Sequence, residues 1–206
     1  MNESGFIYRH LEAEDRSGSA RMLLMLHGTG GNEDDLLPMG RALDSGAALL
    51  SPRGRVLENG MPRFFRRLAE GVFDEQDVIR RAQELADFIK QFARANEIDP
   101  ADIVAVGYSN GANIASAMML LGLAPFTRAI LFRPMVPLVP DDGAALEGHR
   151  VFISGGKLDP IATPAEVQRL AALLRGNGAD VEVQIVDSGH ELTTADLTAA
   201  KQWLGS

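Results

Sequence analysis

Ile103-Val104-Ala105-Val106-Gly107-Tyr108-Ser109-Asn110-Gly111-Ala112 decides how this chain folds. Four apolar residues run into Gly-x-Ser-x-Gly, and a helical stretch begins near Asn113. A serine at such a strand-to-helix junction sits in a sharp, strained turn. Its hydroxyl projects above the sheet, and the flanking glycines leave room for neighbouring backbone. The helix N-terminus behind it adds an amide and a dipole suited to developing negative charge. The same five letters also describe a plain glycine-rich turn joining a strand to its helix.

The segments on either side repeat the alternation. Apolar runs rich in Leu, Val and Ile predict strands over Arg21–Leu26, Ala47–Ser51, Ile103–Tyr108, Arg128–Phe132, Arg150–Ser154 and Val181–Val186, with Phe6–Leu11 as an added edge. Stretches of helical period separate them. Val78, Ile79, Ala82, Leu85, Ala86, Ile89, Phe92 and Ala93 mark the apolar stripe of one helix. Thr163-Pro164-Ala165-Glu166 reads as the capped start of another, with Glu completing a capping box, and Gly176-Asn177-Gly178 as its stop. A last helix is expected from about Thr193 to Leu204, with Leu197, Ala200 and Leu204 inward. Strands alternating with helices give an α/β class, a mostly parallel sheet covered by helices on both faces. Pro52 to Gly71, with five arginines around Met61, Phe64 and Phe65, is expected to be a loop over one end of the sheet.

Composition narrows the function. The 206 residues suit one domain, residues 1–206, with no large cap. A net charge of −8 disfavours extended contact with nucleic acid or an anionic membrane and favours small-molecule chemistry. Without cysteine there is no disulfide, thiolate metal site or cysteine nucleophile. The N-terminal residues lack a signal-peptide pattern, and the longest nearly apolar run, Ile114 to Pro125, is well short of the roughly 20 residues of a spanning helix. A cytoplasmic protein without stable membrane insertion is expected; a homodimer stays open.

Upstream, Met22-Leu23-Leu24-Met25-Leu26 ends in His27-Gly28-Thr29-Gly30-Gly31-Asn32-Glu33. Such a loop can aim a backbone N–H at the oxyanion of a tetrahedral intermediate, together with the N–H following the nucleophile. Those donors would be Thr29 and Asn110. Phosphate binding fits less well, because the dinucleotide fingerprint needs glycine where Glu33 stands and no Gly-Lys-Ser/Thr follows. A turn whose glycines only permit positive φ is the plainer alternative. His27 reads as a positioned loop residue, not a base.

With a serine in such an elbow, the acid and then the base follow in chain order, each on a loop after a strand. His149 precedes its strand and should sit at the wrong end; His190 follows Val181–Val186 through Asp187-Ser188-Gly189, at the end where Ser109 projects. Asp159, between a strand and the capped helix, fits the acid in order and location, although Asp-Pro is also a common turn former. Asp141 and Asp142 are runners-up, and Asp187 lies too near His190.

In this order the segments resemble the phospholipase/carboxylesterase family of small α/β-hydrolases, related to the acyl-protein thioesterases. Leu26-His27-Gly28-Thr29-Gly30-Gly31-Asn32-Glu33, Gly107-Tyr108-Ser109-Asn110-Gly111-Ala112, Gly156-Lys157-Leu158-Asp159-Pro160 and Ser188-Gly189-His190 carry the resemblance along nearly the whole chain. It implies an α/β-hydrolase fold with Ser109 as nucleophile, Asp159 as acid, His190 as base, and Thr29 and Asn110 amides as oxyanion hole. Asn110 stands where the thioesterase branch usually has Gln, and the loop Gly28-Thr29-Gly30-Gly31-Asn32 differs from its Gly-x-Gly-Asp. Both departures point to a bacterial-type carboxylesterase subgroup.

The expected reaction is hydrolysis of small to medium acyl esters through an acyl-enzyme, with no cofactor. Thioesterase or lysophospholipase activity, and a non-catalytic ligand-binding protein of the same fold, are the alternatives. No metal is expected: His-Glu-x-x-His is absent, and Glu33-Asp34-Asp35 reads as the first turn of a helix. Phe64, Phe65, Met39 and Met135 are candidates for an acyl pocket or for ordinary core. Arg133 and the arginines of residues 53–67 are candidates for holding an anionic group, or for pairing with Asp74, Glu75 and Asp77.

Overall fold

A computed structural model describes residues 5–13 and 21–206. In chain order its elements are β1 (Tyr8–Leu11), β2 (Met22–Leu26), α1 (Leu37–Leu43), β3 (Ala48–Pro52), β4 (Val56–Glu58), β5 (Met61–Arg63), β6 (Arg67–Ala69), β7 (Val72–Phe73), α2 (Glu75–Ala95), β8 (Ile103–Tyr108), α3 (Asn110–Leu120), β9 (Arg128–Phe132), β10 (Arg150–Gly156), α4 (Pro164–Gly176), β11 (Asp180–Val186) and α5 (Thr194–Leu204).

Among the described residues seven strands form one sheet in the order β1-β3-β2-β8-β9-β10-β11. Only the edge strand β1 is antiparallel; the other pairings are parallel. The side-chain period of two explains why the inner strands read as continuous apolar runs, since both faces are covered, whereas the edge strands β1 and β11 keep exposed positions. Met22, Leu24 and Leu26 of β2 enter one core with Ile103 and Ala105 of β8 and the helices α2, α3 and α4. Leu23 and Met25 enter the other, with Val104, Val106 and Trp203 of α5. Helix α3 is buried all round.

The chain leaves β2 toward β3 on one side, and β8 pairs with β2 on the other. Helix α1, after β2, lies on one face; α3, after β8, lies on the opposite face. The carboxyl ends of β2 and β8 thus flank a point where the winding reverses, the usual ligand crevice of an open α/β sheet.

Several expectations need correction. The segment from Pro52 to Gly71 is not a plain loop: it holds one hairpin, β4 with β5, and the opening strand of a second, β6, whose partner β7 follows directly. The first turns through Asn59 and Gly60, both at positive φ (52° and 81°), as an Asn-Gly hairpin tip requires. Glu33-Asp34-Asp35 lies before α1, whose first turn holds no acid. Glu33 instead pairs with Arg53, and Asp34 with Arg9 at 2.7 Å. On α2, Ile79 faces solvent and Phe88 is buried in its place, because the stripe follows the sheet it covers. At α4, Thr163 caps the Glu166 N–H as expected, but the Glu166 carboxylate turns to the Val136 N–H and Arg169 and leaves the capping box open. On α5, Leu197 is only partly buried, whereas Asp196 and Trp203 are inside with Ala200 and Leu204.

Candidate active site

Ser109 joins β8 to α3 with φ 52° and ψ −113°, a conformation that L residues avoid unless the surroundings impose it. The imposing contacts are visible. The Ser109 N–H donates to the Phe132 carbonyl of neighbouring β9 at 2.9 Å. A Cβ on Gly107 would lie 2.6 Å from the Ala112 backbone, and one on Gly111 only 1.9 Å from the Leu26 carbonyl oxygen. Both motif glycines are thus needed for close approach. The second lets the first turn of α3 press against the end of β2, beside the loop that carries Thr29.

The Ser109 hydroxyl lies 3.0 Å from His190 Nε2, and His190 Nδ1 lies 2.8 Å from Asp159 Oδ2. With its ring proton on Nδ1, the imidazole donates to the carboxylate and accepts from the hydroxyl. Asp159 is buried, and its other oxygen accepts the Ile161 and Ala162 N–H groups at 2.8 and 2.9 Å. Those amides lock the carboxylate plane, so its free edge faces the imidazole. Ser109 follows β8, Asp159 follows β10 and His190 follows β11, at one end of the sheet. The competing candidates lie elsewhere: His149 precedes β10. Asp141 and Asp142 are exposed on the loop after β9. Asp187 sits at the surface near Lys157.

Thr29 and Asn110 both line the cavity in front of Ser109. As the first residue of α3, Asn110 has an amide with no partner four residues back within the helix. Segment 62–64 braces both residues. The Pro62 carbonyl accepts the Gly30 N–H at 2.9 Å, Arg63 Nη1 donates to Thr29 Oγ1 at 2.6 Å, and the Phe64 N–H donates to Asn110 Oδ1 at 2.7 Å. The side chain of Asn110 is therefore a brace for the hairpin, which sequence inspection had only as a departure from Gln. His27 serves the same assembly: it contacts the Gly28 carbonyl through Nδ1, accepts the Gly54 N–H at Nε2, and packs on the Phe64 ring at 4.7 Å. Burial pushes its pKa down, which suits a neutral, structural imidazole.

The cavity holds about 200 Å³, and its lining includes the apolar Phe73, Met135 and Ile161 and the charged Arg63, Arg67 and Glu70. Of the residues expected there, Met135 lines it, as do Arg63 and Arg67 among the loop arginines. Phe64 and Phe65 are core, packed on His27 and Phe73 respectively. Met39 packs from α1 against the Leu23–Met25 side of the sheet. Arg133 is fully buried and paired with Asp196, so it is neither a pocket residue nor a partner of Asp74, Glu75 or Asp77. Among the loop arginines, Arg66 pairs with Asp74, while Arg63 and Arg67 share Glu58. Phe73, Tyr108 and Ile161 were missed; they carried no signal beyond proximity to the motifs. Among the described residues no cluster of three or more His, Asp or Glu is arranged to hold a metal, and no helix is long and apolar enough to cross a membrane.

Comparison with known proteins accords with this geometry. The chain is 47% identical over 189 residues to MhqD of Bacillus subtilis (strain 168), which is named as a hydrolase, covering 92% of this chain and 94% of that one. The carboxylesterase of Bacillus cereus superposes with a TM-score of 0.93 at 45% identity, covering 98% and 95% of the two chains. That of Mesorhizobium loti gives 0.91 at 32%, covering 100% and 97%. The expected kinship with small α/β-hydrolase esterases therefore stands, and the family whose sequence profile matches, over residues 58–196, is that of dienelactone hydrolase. This chain is an α/β-hydrolase-fold enzyme with hydrolase activity, and it belongs to the dienelactone hydrolase family.

Proposed function

We propose that the chain is a serine carboxylesterase acting on small to medium acyl esters. The observation that carries this reading is the continuous hydrogen-bond line from Ser109 through His190 to Asp159. His190 takes the hydroxyl proton as Ser109 Oγ attacks the ester carbonyl, and Asp159 orients the imidazole and offsets its developing charge. The carbonyl oxygen becomes an oxyanion and accepts the Thr29 and Asn110 amides. Collapse expels the alcohol, which takes the proton from His190 and leaves an acyl-Ser109. Water then repeats the sequence, with His190 as base, and releases the acid.

The cavity of about 200 Å³ in front of Ser109, with Phe73, Met135 and Ile161 in its lining, supports acyl groups of small to medium size. The carboxylesterase names of the two superposable structures agree with an ester over another hydrolysable bond.

The test combines a fluorophosphonate probe with p-nitrophenyl esters of increasing chain length. Wild type should be labelled once, at Ser109, and turn over acetate and butyrate faster than octanoate or longer esters. Ser109→Ala should lose both label and turnover. Unlabelled wild type, or label that survives in Ser109→Ala, overturns the proposal.

A further inference from the structure

The proposed chemistry leaves Arg133 unused, yet it is the largest wholly buried side chain in the described structure. It follows β9 at φ 52°, a backbone region that favours glycine. Its N–H donates to the Ser154 carbonyl at 2.8 Å. From there the guanidinium runs beneath the loop that carries His190. Nη1 and Nη2 form a two-pronged pair with Asp196 at 2.7 and 2.9 Å. Nη1 also reaches the Ser154 carbonyl at 3.2 Å, and Nη2 the Ser188 hydroxyl at 2.9 Å.

Two further donations go to the residues on either side of His190. Nε donates to the Gly189 carbonyl at 3.1 Å and Nη2 to the Glu191 carbonyl at 2.8 Å. The carbonyl of His190 itself accepts the Tyr108 hydroxyl at 3.1 Å. Three successive carbonyls are thus held from below and from the side. Because peptide groups are planar, fixing these carbonyls fixes both peptides flanking His190 and so the direction of its side chain.

We propose that Arg133, clamped by Asp196, is a positioning residue for His190. It holds the imidazole in line between Asp159 and Ser109 without touching substrate. The proposal rests on the serine esterase reading above. Packing bulk does not account for the choice of residue. A buried ion pair is often no more stabilising than apolar side chains of the same bulk, so packing alone does not call for it. Apolar side chains cannot supply donors to two carbonyls around one residue; a planar fork of five donors can. Asp196 completes the clamp. Burial would push its carboxyl up, but hydrogen bonds from Arg133, Ser154 and Thr193 outweigh this and hold it below the usual carboxylate range, ionised against the guanidinium.

Arg133→Lys tests the clamp. Lysine keeps a positive charge for Asp196, but its compact ammonium cannot reproduce the fork that reaches Gly189 and Glu191. With p-nitrophenyl acetate, kcat should fall at least about tenfold while KM stays within about twofold, since misplacement near the reacting atoms by about 1 Å can cost on the order of a hundredfold. The downfield proton resonance of the His190–Asp159 hydrogen bond should broaden or vanish, a signature that a loss of packing elsewhere would not move. Folded Arg133→Lys with kcat within about threefold of wild type and an unchanged resonance overturns the proposal. If Arg133→Lys does not fold, the double variant Arg133→Met/Asp196→Leu, which removes both buried charges, is judged by the same two readouts. Failure of the underlying reading looks different: fluorophosphonate would not label Ser109 in wild type, whatever Arg133 does.

Discussion

Replacing Gly111 by alanine tests how the oxyanion side and the nucleophile side of the site are joined. The added Cβ would lie 1.9 Å from the Leu26 carbonyl oxygen, 2.4 Å from its carbon and 2.7 Å from the His27 carbonyl oxygen. All three are backbone atoms, so no side chain can swing aside. Real Cβ contacts do not fall below 3.0 Å, so the start of α3 and the end of β2 must part by about 1.1 Å. Thr29 lies just after β2 and Asn110 opens α3, so that displacement separates the two proposed oxyanion donors by the same amount. A misplacement of about 1 Å costs on the order of a hundredfold in rate. Overpacking of this kind also costs about 1–3 kcal/mol of stability. We therefore expect Gly111→Ala to fold, with a lowered Tm, and to lose at least about a hundredfold in kcat/KM for p-nitrophenyl acetate. Gly176→Ala is the control: that glycine ends α4, has ordinary φ and meets nothing within 4 Å. Gly111→Ala within threefold of the control in kcat/KM would refute the close-approach reasoning and the pairing of Thr29 with Asn110.

Asp159→Asn should lower kcat by about a thousandfold to ten-thousandfold by favouring the wrong imidazole tautomer, while Asp187→Asn, at an exposed carboxylate near His190 in sequence, should stay within twofold; equal losses in steady-state assays would reassign the acid. For His27, burial holds the folded-state pKa below the ordinary value of about 6.5. As pH falls below about 6.5 the unfolded chain takes a proton that the folded chain refuses, so stability falls until the lower, folded pKa is reached. Above about 6.5 this group adds no slope. His27→Gln should therefore flatten the decline of Tm below pH 6.5, and parallel Tm–pH curves for the two proteins would contradict it.

The sheet and the triad candidates were legible because both rest on local signals in a fixed order. Apolar runs announced the strands: Ser109 and Asp159 stand just after two continuous ones, and His190 just after the alternating edge strand β11. What could not be read depends on where segments meet. Nothing near Phe64 or Met39 says whether the side chain points into a cavity or into the core. Asn59-Gly60 carries a usable hairpin signal, because both residues tolerate the positive φ that the β4–β5 tip adopts. Arg133 was the largest misreading: its partner Asp196 lies 63 residues away, and an arginine amid polar and apolar neighbours looks the same in sequence whether it faces substrate or a buried carboxylate.

The sheet order explains why such a clamp belongs where Arg133 stands. Ser109 follows β8, but His190 follows β11, with β9 and β10 between them. Three strand spacings of about 4.8 Å put roughly 14 Å between those strand ends. The loop after β11 must therefore fold back across the ends of β10 and β9 to bring the imidazole within 3.0 Å of the Ser109 hydroxyl. A loop laid over strand ends buries its own carbonyls, and each needs a donor. Strand β10 contributes Ser154, whose hydroxyl bonds Asp196, and the loop after it sends the Leu158 N–H to the Ser188 carbonyl at 2.9 Å. At the end of β9 stands Arg133, with donors to Ser188, Gly189, Glu191 and Asp196. The strand that contributes no proposed reacting group thus carries the residue on which the reach of His190 depends.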